Sequence, residues 1–320
     1  YHGEIAERIV AHSKRTGGFF SIDDFAGNAP VWVDPIGMEY RGYTIHEIPP
    51  NGQGIAALIM LGILKNFDIS NRPVDSSDSI HLQIEAMKLA FADTRRYVAD
   101  PAFMTVKTSE MLDPGYLASR AKLIDPKRAK DPSWGTPPKG GTVYLTAADS
   151  DGMMVSYIQS NFWSFGSGIV VPETGIALQN RGLGFSLEER HPNRVGGGKR
   201  PYHTIIPAFV TKDGKPVMSF GVMGGAMQPQ GHAQMMIRIF DYHQNPQAAS
   251  DAPRWQVMKG LDIALEGGTK PDVMNDLASR GHTLTSIDEP MYGGAQLIYR
   301  LDDGYCAASE RRKDGQAVGF

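Results

Sequence analysis

Gly141-Thr142, in the stretch "PKGGTVYLTAADSDG" (residues 138–152), joins a Pro/Gly/Lys-rich loop directly to a β-favouring run. Hydrolysis of the bond between these two residues would leave threonine as a new N-terminus. Such a residue carries nucleophile and base together: Oγ attacks a carbonyl carbon, and the freed α-amine, with an ordinary pKa of about 7.7–8.0, accepts the hydroxyl proton. Threonine is also a common first residue of a strand, because β-branched side chains suit pleated backbone. Spacing alone leaves both readings open. The glycine-rich run "GVMGGAMQPQG" invites a nucleotide-loop reading, but it lacks G-x-x-x-x-G-K-[ST], and also the βαβ context and following acid of a dinucleotide site. Nine histidines, His203 and His232 among them, include no H-E-x-x-H or Cys/His spacing. No metal and no cofactor are expected.

The elements that must position Thr142 fall into two groups. The first part of the chain reads as mainly helical. "YHGEIAERIVAHSKRTGG" puts Ile5, Ile9 and Val10 on one face before a Gly17-Gly18 stop. "NGQGIAALIMLGILKN" is apolar nearly all round and belongs inside the fold. "SSDSIHLQIEAMKLAFADTRRYVAD" spaces Ile80, Ile84, Met87, Phe91 and Val98 helically behind an Asp78 or Ser79 cap. "DPKRAKDPSWGTPPKGG" then reads as a mobile surface linker by composition. Beyond it come hairpins: "TVYLTAAD" and "MMVSYIQS" around Ser150-Asp151-Gly152, a pair around Lys212-Asp213-Gly214-Lys215, and a last one turning at Asp302-Asp303-Gly304. Between the last two, "QPQGHAQMMIRIFDYHQN" reads as a helix with Met235, Ile239 and Phe240 inward. Antiparallel sheets covered by helices are the expected architecture.

Composition narrows the setting. The 320 residues are 41% hydrophobic and 21% charged, the profile of a globular protein with a large core, in one large domain or two smaller ones. A net charge of −3 gives no reason to expect a nucleic-acid or anionic-membrane partner, and no stretch approaches the roughly 20 apolar residues of a membrane span. The single cysteine, Cys306, cannot form an intrachain disulfide, which leans towards a cytoplasmic setting. The start "YHGEIAERIV" has neither initiator Met nor signal pattern, so a segment is expected upstream and a periplasmic location stays open.

Taken together, "GEIAERIV" with "SIDDF", "HLQIEAMKLAFADTRRYVADP", "GGTVYLTAADSDGMMVS", "FGSGIVVPETGIALQN", "GKRPYHTIIPAF", "GVMGGAMQPQ" and "ASDAPRW" resemble, in order and over essentially the whole chain, the γ-glutamyltransferase (γ-glutamyltranspeptidase) family of N-terminal-nucleophile hydrolases. The resemblance implies an α+β fold, a four-layer αββα sandwich. It makes residues 1–141 the C-terminal portion of a large subunit whose upstream part is missing, with the arginine that usually binds the substrate's α-carboxylate. Residues 142–320 become the small subunit, and a dimer of such heterodimers is a further possibility. The activity implied is that of an autoprocessed amidohydrolase or acyltransferase cutting γ-glutamyl-type, glutathione-like amides through an acyl-enzyme, with water as the main acceptor.

Position by position, the resemblance places autocleavage at Gly141-Thr142 and the nucleophile at Thr142. It makes Ser160 the hydroxyl that touches the nucleophile's amine, and Gly224-Gly225 the pair whose backbone amides form the oxyanion hole. Glycine suits that task because no Cβ obstructs the approach. The substrate pocket departs from the family. Phe162 stands where an Asn is usual, with Asn161 next door as a substitute that strand alternation would turn to the other face. Arg181 and Gly184 replace the Gln and Asp that hold the substrate's α-amino group, Asn180 is kept, and His203-Thr204 replaces a serine pair. Arginine accepts no hydrogen bond and repels an ammonium group. It is expected either to pair with a substrate carboxylate or to be a salt-bridged structural residue. An alternative substrate is therefore an amide of a short acid lacking an α-amine, oxamate-like or glutaryl. A second alternative is a non-catalytic descendant serving as a scaffold or small-molecule binding protein.

Overall fold

The computed structural model describes residues 1–132 and 141–320; of the linker reading over residues 125–141, residues 133–140 lie outside them, and 125–132 correct it, being tied to the fold by the Ala129 amide donating to Arg280 O (2.7 Å) and the Lys130 amide to Glu85 Oε2 (3.1 Å). Helices α1 (Glu4–Arg15) and α2 (Ile22–Ala26) precede an antiparallel hairpin of β1 (Ile36–Tyr40) and β2 (Tyr43–Glu47). Helices α3 (Gly54–Leu64), α4 (Ser77–Tyr97), α5 (Thr108–Met111) and α6 (Pro114–Ala121) follow. After residue 140 come β3 (Gly141–Ala148), β4 (Met154–Phe162), the short β5 (Val170–Val171) and β6 (Ile176–Ala177), then β7 (Ala208–Lys212) and β8 (Lys215–Met223). Helices α7 (Met227–Met236) and α8 (Pro246–Asp251) lead to β9 (Trp255–Lys259), β10 (Asp262–Leu265), α9 (Pro271–Ser279) and β11 (Thr283–Thr285). The last hairpin is β12 (Gly294–Leu301) and β13 (Gly304–Ser309).

The main sheet has the order β1-β2-β7-β8-β12-β13 and is antiparallel throughout. It draws its first two strands from before Thr142 and the other four from after it, so the two segments share one hydrogen-bonded sheet. The β1–β2 hairpin is a correction to the mainly helical reading of the first part. Its signal is short, with glycine inside β1, and the turn at Arg41-Gly42 is marked only by positive φ values of 55° and 83°.

One face of this sheet carries helices and the other carries the β3–β4 hairpin, which makes an α-β-β stack among the described residues. The period-2 geometry of β8 explains both contacts. Met218, Phe220 and Val222 enter the helical core, whereas Ser219 and Gly221 face β3. All eleven residues of α3 are buried, which is why its sequence has no polar face. Each fully buried Leu or Ile there contributes roughly 1.5–3 kcal/mol.

Two helix readings shift in detail. Ile5 is 54% exposed, because α1 packs through Ala6, Ile9, Val10 and Ser13. The cap of α4 is Ser76, whose side chain accepts from the Ser79 amide, not Asp78 or Ser79. Among the described residues, no helix is long and apolar enough to cross a membrane.

Candidate active site

The β3–β4 hairpin is set by its turn and by its contact with the sheet below. Asp149 Oδ1 accepts from the amides of Asp151 (3.0 Å) and Met153 (2.9 Å), and Gly152 takes φ 92°. Alternate residues of β3 face β8. Thr146 Oγ donates to Ser219 Oγ at 2.7 Å, and Tyr144 lies over Gly221, where an added Cβ would come within 2.4 Å of the phenol ring. The next residue on that face is Thr142, which lines a cavity of about 350 Å³ together with Met223, Gln296, Lys313 and Asp314. Gly224-Gly225 follows directly after Met223. The stacking of β3 on β8 thus carries Thr142 to the end of the sheet where the glycine pair begins.

That pair requires glycine on two grounds. Both residues have positive φ, 128° and 63°, and a Cβ on Gly224 would meet Gly293 Cα at 3.1 Å and Met227 Cβ at 3.2 Å. The turn's carbonyls are spent inside α7, Gly224 accepting from the Met227 amide and Gly225 from that of Gln228. The two amide N–H groups have no acceptor among the described residues, the condition an oxyanion donor needs.

Across β3, the ladder contains a bulge. Gly141 pairs with Phe162 and Val143 with Gln159, so Thr142 alone stands opposite both Ser160 and Asn161. The strict alternation that would turn Asn161 away is suspended at this point. Ser160 Oγ accepts from Arg181 Nη2 (2.6 Å) and from the Phe162 amide (3.3 Å). Arg181 Nη2 also reaches the Ser160 carbonyl (3.2 Å), and its guanidinium sits 5.6 Å from the centroid of the Phe162 ring. Two departures that look unrelated in the sequence therefore form one contact. Arg181 has no carboxylate partner among the described residues, contrary to the salt-bridged alternative, and its Nη1 is buried without a partner. Gly184 cannot become the usual Asp without rearrangement, since a Cβ there would lie 2.2 Å from the Tyr202 carbonyl oxygen.

His203 and Thr204 are held by a segment that the sequence reading took only as a helix start. The His203 amide donates to Asn51 O (3.2 Å), the Gln53 amide donates to His203 O (3.0 Å), and Asn51 Nδ2 donates to Pro201 O (2.6 Å). Buried Gln53 Nε2 bridges Thr204 O and Gly225 O, each at 2.8 Å, and so ties the substrate-side segment to the glycine turn. The string "NGQG" gave no signal of this role. Asn180 is engaged locally: Oδ1 accepts from the Trp163 amide (3.2 Å), and its own amide donates to Asn161 O (3.2 Å). A buried His232–Glu47 pair braces β8 from below. His232 Nε2 accepts from the Val222 amide (3.1 Å), which places its proton on Nδ1 for donation to Glu47 Oε1 (2.6 Å).

Burial, then the nearby charges of Arg181 and Arg200, push the His203 pKa down to about 4, and Nδ1 has no partner among the described residues. The imidazole is therefore neutral at pH 7. Between about pH 6.5 and 4 the unfolded chain binds a proton here that the folded chain does not, so His203 makes stability fall as pH drops through this window. Denaturant titrations at a series of pH values are expected to show that slope, and His203→Asn to flatten it.

Among the described residues, the fold assembles one group of metal-ligating types that the linear spacing did not announce: His81, Glu85 and His282, all buried, with ligand atoms within 4.8 Å of one another. Most of their bonds run outside the group. His81 Nε2 donates to Asp125 O (2.8 Å), His81 Nδ1 meets His282 Nε2 at 2.8 Å, and the Lys88 ammonium lies 2.5 Å from Glu85. Lys88 already supplies the positive charge that this carboxylate needs.

The chain is similar to known proteins over its whole length. The family described as Gamma-glutamyltranspeptidase matches residues 1–320. The chain is 36% identical over 330 residues to the glutathione hydrolase-like YwrD proenzyme of Bacillus subtilis (strain 168), covering 100% of this chain and 62% of that protein. It is 32% identical over 329 residues to the oxamate amidohydrolase proenzyme of Klebsiella pneumoniae, again covering 100% and 62%. Among solved structures, a cephalosporin acylase from Bacillus halodurans superposes with a TM-score of 0.95 at 47% identity, covering 100% of this chain and 59% of that one. The chain thus spans about three fifths of the length of these relatives.

Proposed function

The chain belongs to the γ-glutamyltranspeptidase family, and from that premise we propose that it is part of a self-processed amide hydrolase whose nucleophile is Thr142. Cleavage at Gly141-Thr142 divides the precursor into a large subunit that ends at residue 141 and a small subunit of residues 142–320. Thr142 Oγ then bonds to the substrate's amide carbon while its proton passes to the freed α-amine. The amides of Gly224 and Gly225 hold the carbonyl oxygen as it gains charge. The leaving amine takes the proton as the C–N bond breaks, and water resolves the acyl-enzyme by the reverse sequence of transfers. What supports this reading is the stacking of β3 on β8, which sets Thr142 beside Met223, the residue before the glycine turn, with Ser160 opposite Thr142 on β4. The relatives' names support amide hydrolysis with an acyl group that varies between members: glutathione hydrolase-like, oxamate amidohydrolase, cephalosporin acylase.

The family-level substrate is a γ-glutamyl amide. One observation favours an acid without an α-amine: Arg181, whose Nη1 has no partner and which has no neighbouring carboxylate among the described residues, offers a substrate a cationic donor where an ammonium group needs acceptors. Asn180, His203 and Thr204 complete that side of the proposed pocket, with Asn161 beside Ser160. Initial rates of the full-length protein on γ-glutamyl-p-nitroanilide, glutaryl-p-nitroanilide and oxamate separate the two. Faster turnover of glutaryl-p-nitroanilide or oxamate is expected, and a wide margin for the γ-glutamyl compound would contradict the reading of Arg181. An uncut protein inert towards all three would favour a non-catalytic binding role.

A further inference from the structure

Ser160 has one O–H to give and two lone pairs with which to accept. Arg181 Nη2 takes one lone pair at 2.6 Å and the Phe162 amide takes the other at 3.3 Å. Its hydroxyl hydrogen is all that remains, and Ser160 stands opposite Thr142 across the bulge. A neutral amine has a lone pair to receive that hydrogen. An ammonium group has none, and Ser160 has no lone pair left to offer it.

We propose that Arg181, acting through Ser160, is a positioning residue that holds the α-amine of cleaved Thr142 in its neutral, proton-accepting form. The inference rests on Thr142 being the processed nucleophile. Arg181 contributes twice: its hydrogen bond makes Ser160 a pure donor, and its charge, one residue removed from the amine, disfavours a second cation there. The Phe162 ring beneath the guanidinium fixes the fork in this orientation. Nη1, without a partner among the described residues, is left for the substrate, so one side chain serves both the base and the acyl group. Once the amine has taken the Thr142 proton, the same surroundings make it a stronger acid, which hastens delivery to the leaving group.

Other charged or titratable groups facing Thr142 are few among the described residues. Tyr144 neighbours it on β3, while Lys313 and Asp314 of the C-terminal segment line its cavity with opposite charges. β8 and β12 contribute Met223 and Gln296 there, neither charged. His203, with Arg200 behind it, lies within electrostatic reach of Arg181.

The test reads the amine itself and needs no substrate. Full-length protein is allowed to process and is labelled with acetic anhydride across a pH series. The extent of acetylation of the peptide beginning at Thr142 is then measured by mass spectrometry. In the wild type the labelling midpoint is expected about one pH unit below the ordinary 7.7–8.0 of an α-amine. Arg181→Gln is expected to raise it by about one unit, Arg181→Lys to restore most of the shift, and Lys313→Met to leave the Arg181 effect in place. If Arg181→Gln fails to process, Phe162→Leu, which removes only the platform, is expected to raise the midpoint in the same direction. An unchanged or lowered midpoint in these variants overturns the proposal while leaving Thr142 as nucleophile. Absence of any peptide beginning at Thr142 in the wild type overturns both.

Discussion

Thr142→Ala in the full-length protein is expected to remain a single uncut chain on a denaturing gel and to lose amide hydrolysis by about 10⁴-fold or more. The size of the effect follows from the two functions proposed for Thr142. Without Oγ no acyl-enzyme can form, and without cleavage no α-amine exists to act as base. The substitution leaves the fold largely untouched, since Thr142 is partly exposed and forms no part of the main core cluster. Thermal melting is expected to move little. Thr142→Ser keeps both functions and is expected to process, more slowly, and to retain measurable hydrolysis. That contrast separates loss of chemistry from loss of structure.

Gly224→Ala is expected to lower kcat by about 10²–10³, read from initial rates on whichever amide the wild type hydrolyses, with KM changing much less. A φ of 128° excludes an ordinary L-residue. The added methyl would also press on Gly293 Cα and Met227 Cβ at just over 3 Å. The turn must shift, and with it the two amides that are proposed to meet the oxyanion. Because the Gly225 carbonyl is anchored by Gln53, the displacement falls on the amide side of the turn. Gln53→Leu is the natural companion, since it releases the turn without adding bulk to it.

How much of this could be read in advance depended on whether the signal was local. The hairpin turns announced themselves because Asp149, Gly152, Asp213 and Gly214 carry their own turn chemistry. Helix α3 was equally plain, since a run without a polar face has nowhere to go but inside. The β1–β2 hairpin was missed because five-residue strands interrupted by glycine show little alternation. Ile5 was misplaced because a helical stripe has an edge, and only packing decides which side of that edge a residue takes.

The proposed site divides along the same line. Thr142 stands out as a candidate because a hydroxyl residue at a loop-to-strand seam is a local feature. The union of Ser160, Phe162 and Arg181 does not, because it joins residues about 20 apart through a bulge that periodicity cannot foresee. Gln53 was missed for a similar reason: its bonds run to residues more than 150 positions away.

In the proposed mechanism Thr142 becomes an N-terminus and then the site of acylation. Intact-mass analysis of the full-length protein after incubation, followed by N-terminal sequencing of the smaller fragment, tests it most directly. A fragment that begins Thr142-Val143-Tyr144 and gains the acyl mass on Thr142 when quenched during turnover is expected. A protein that stays uncut while hydrolysing amides, or that carries the acyl group on any other residue, would contradict it.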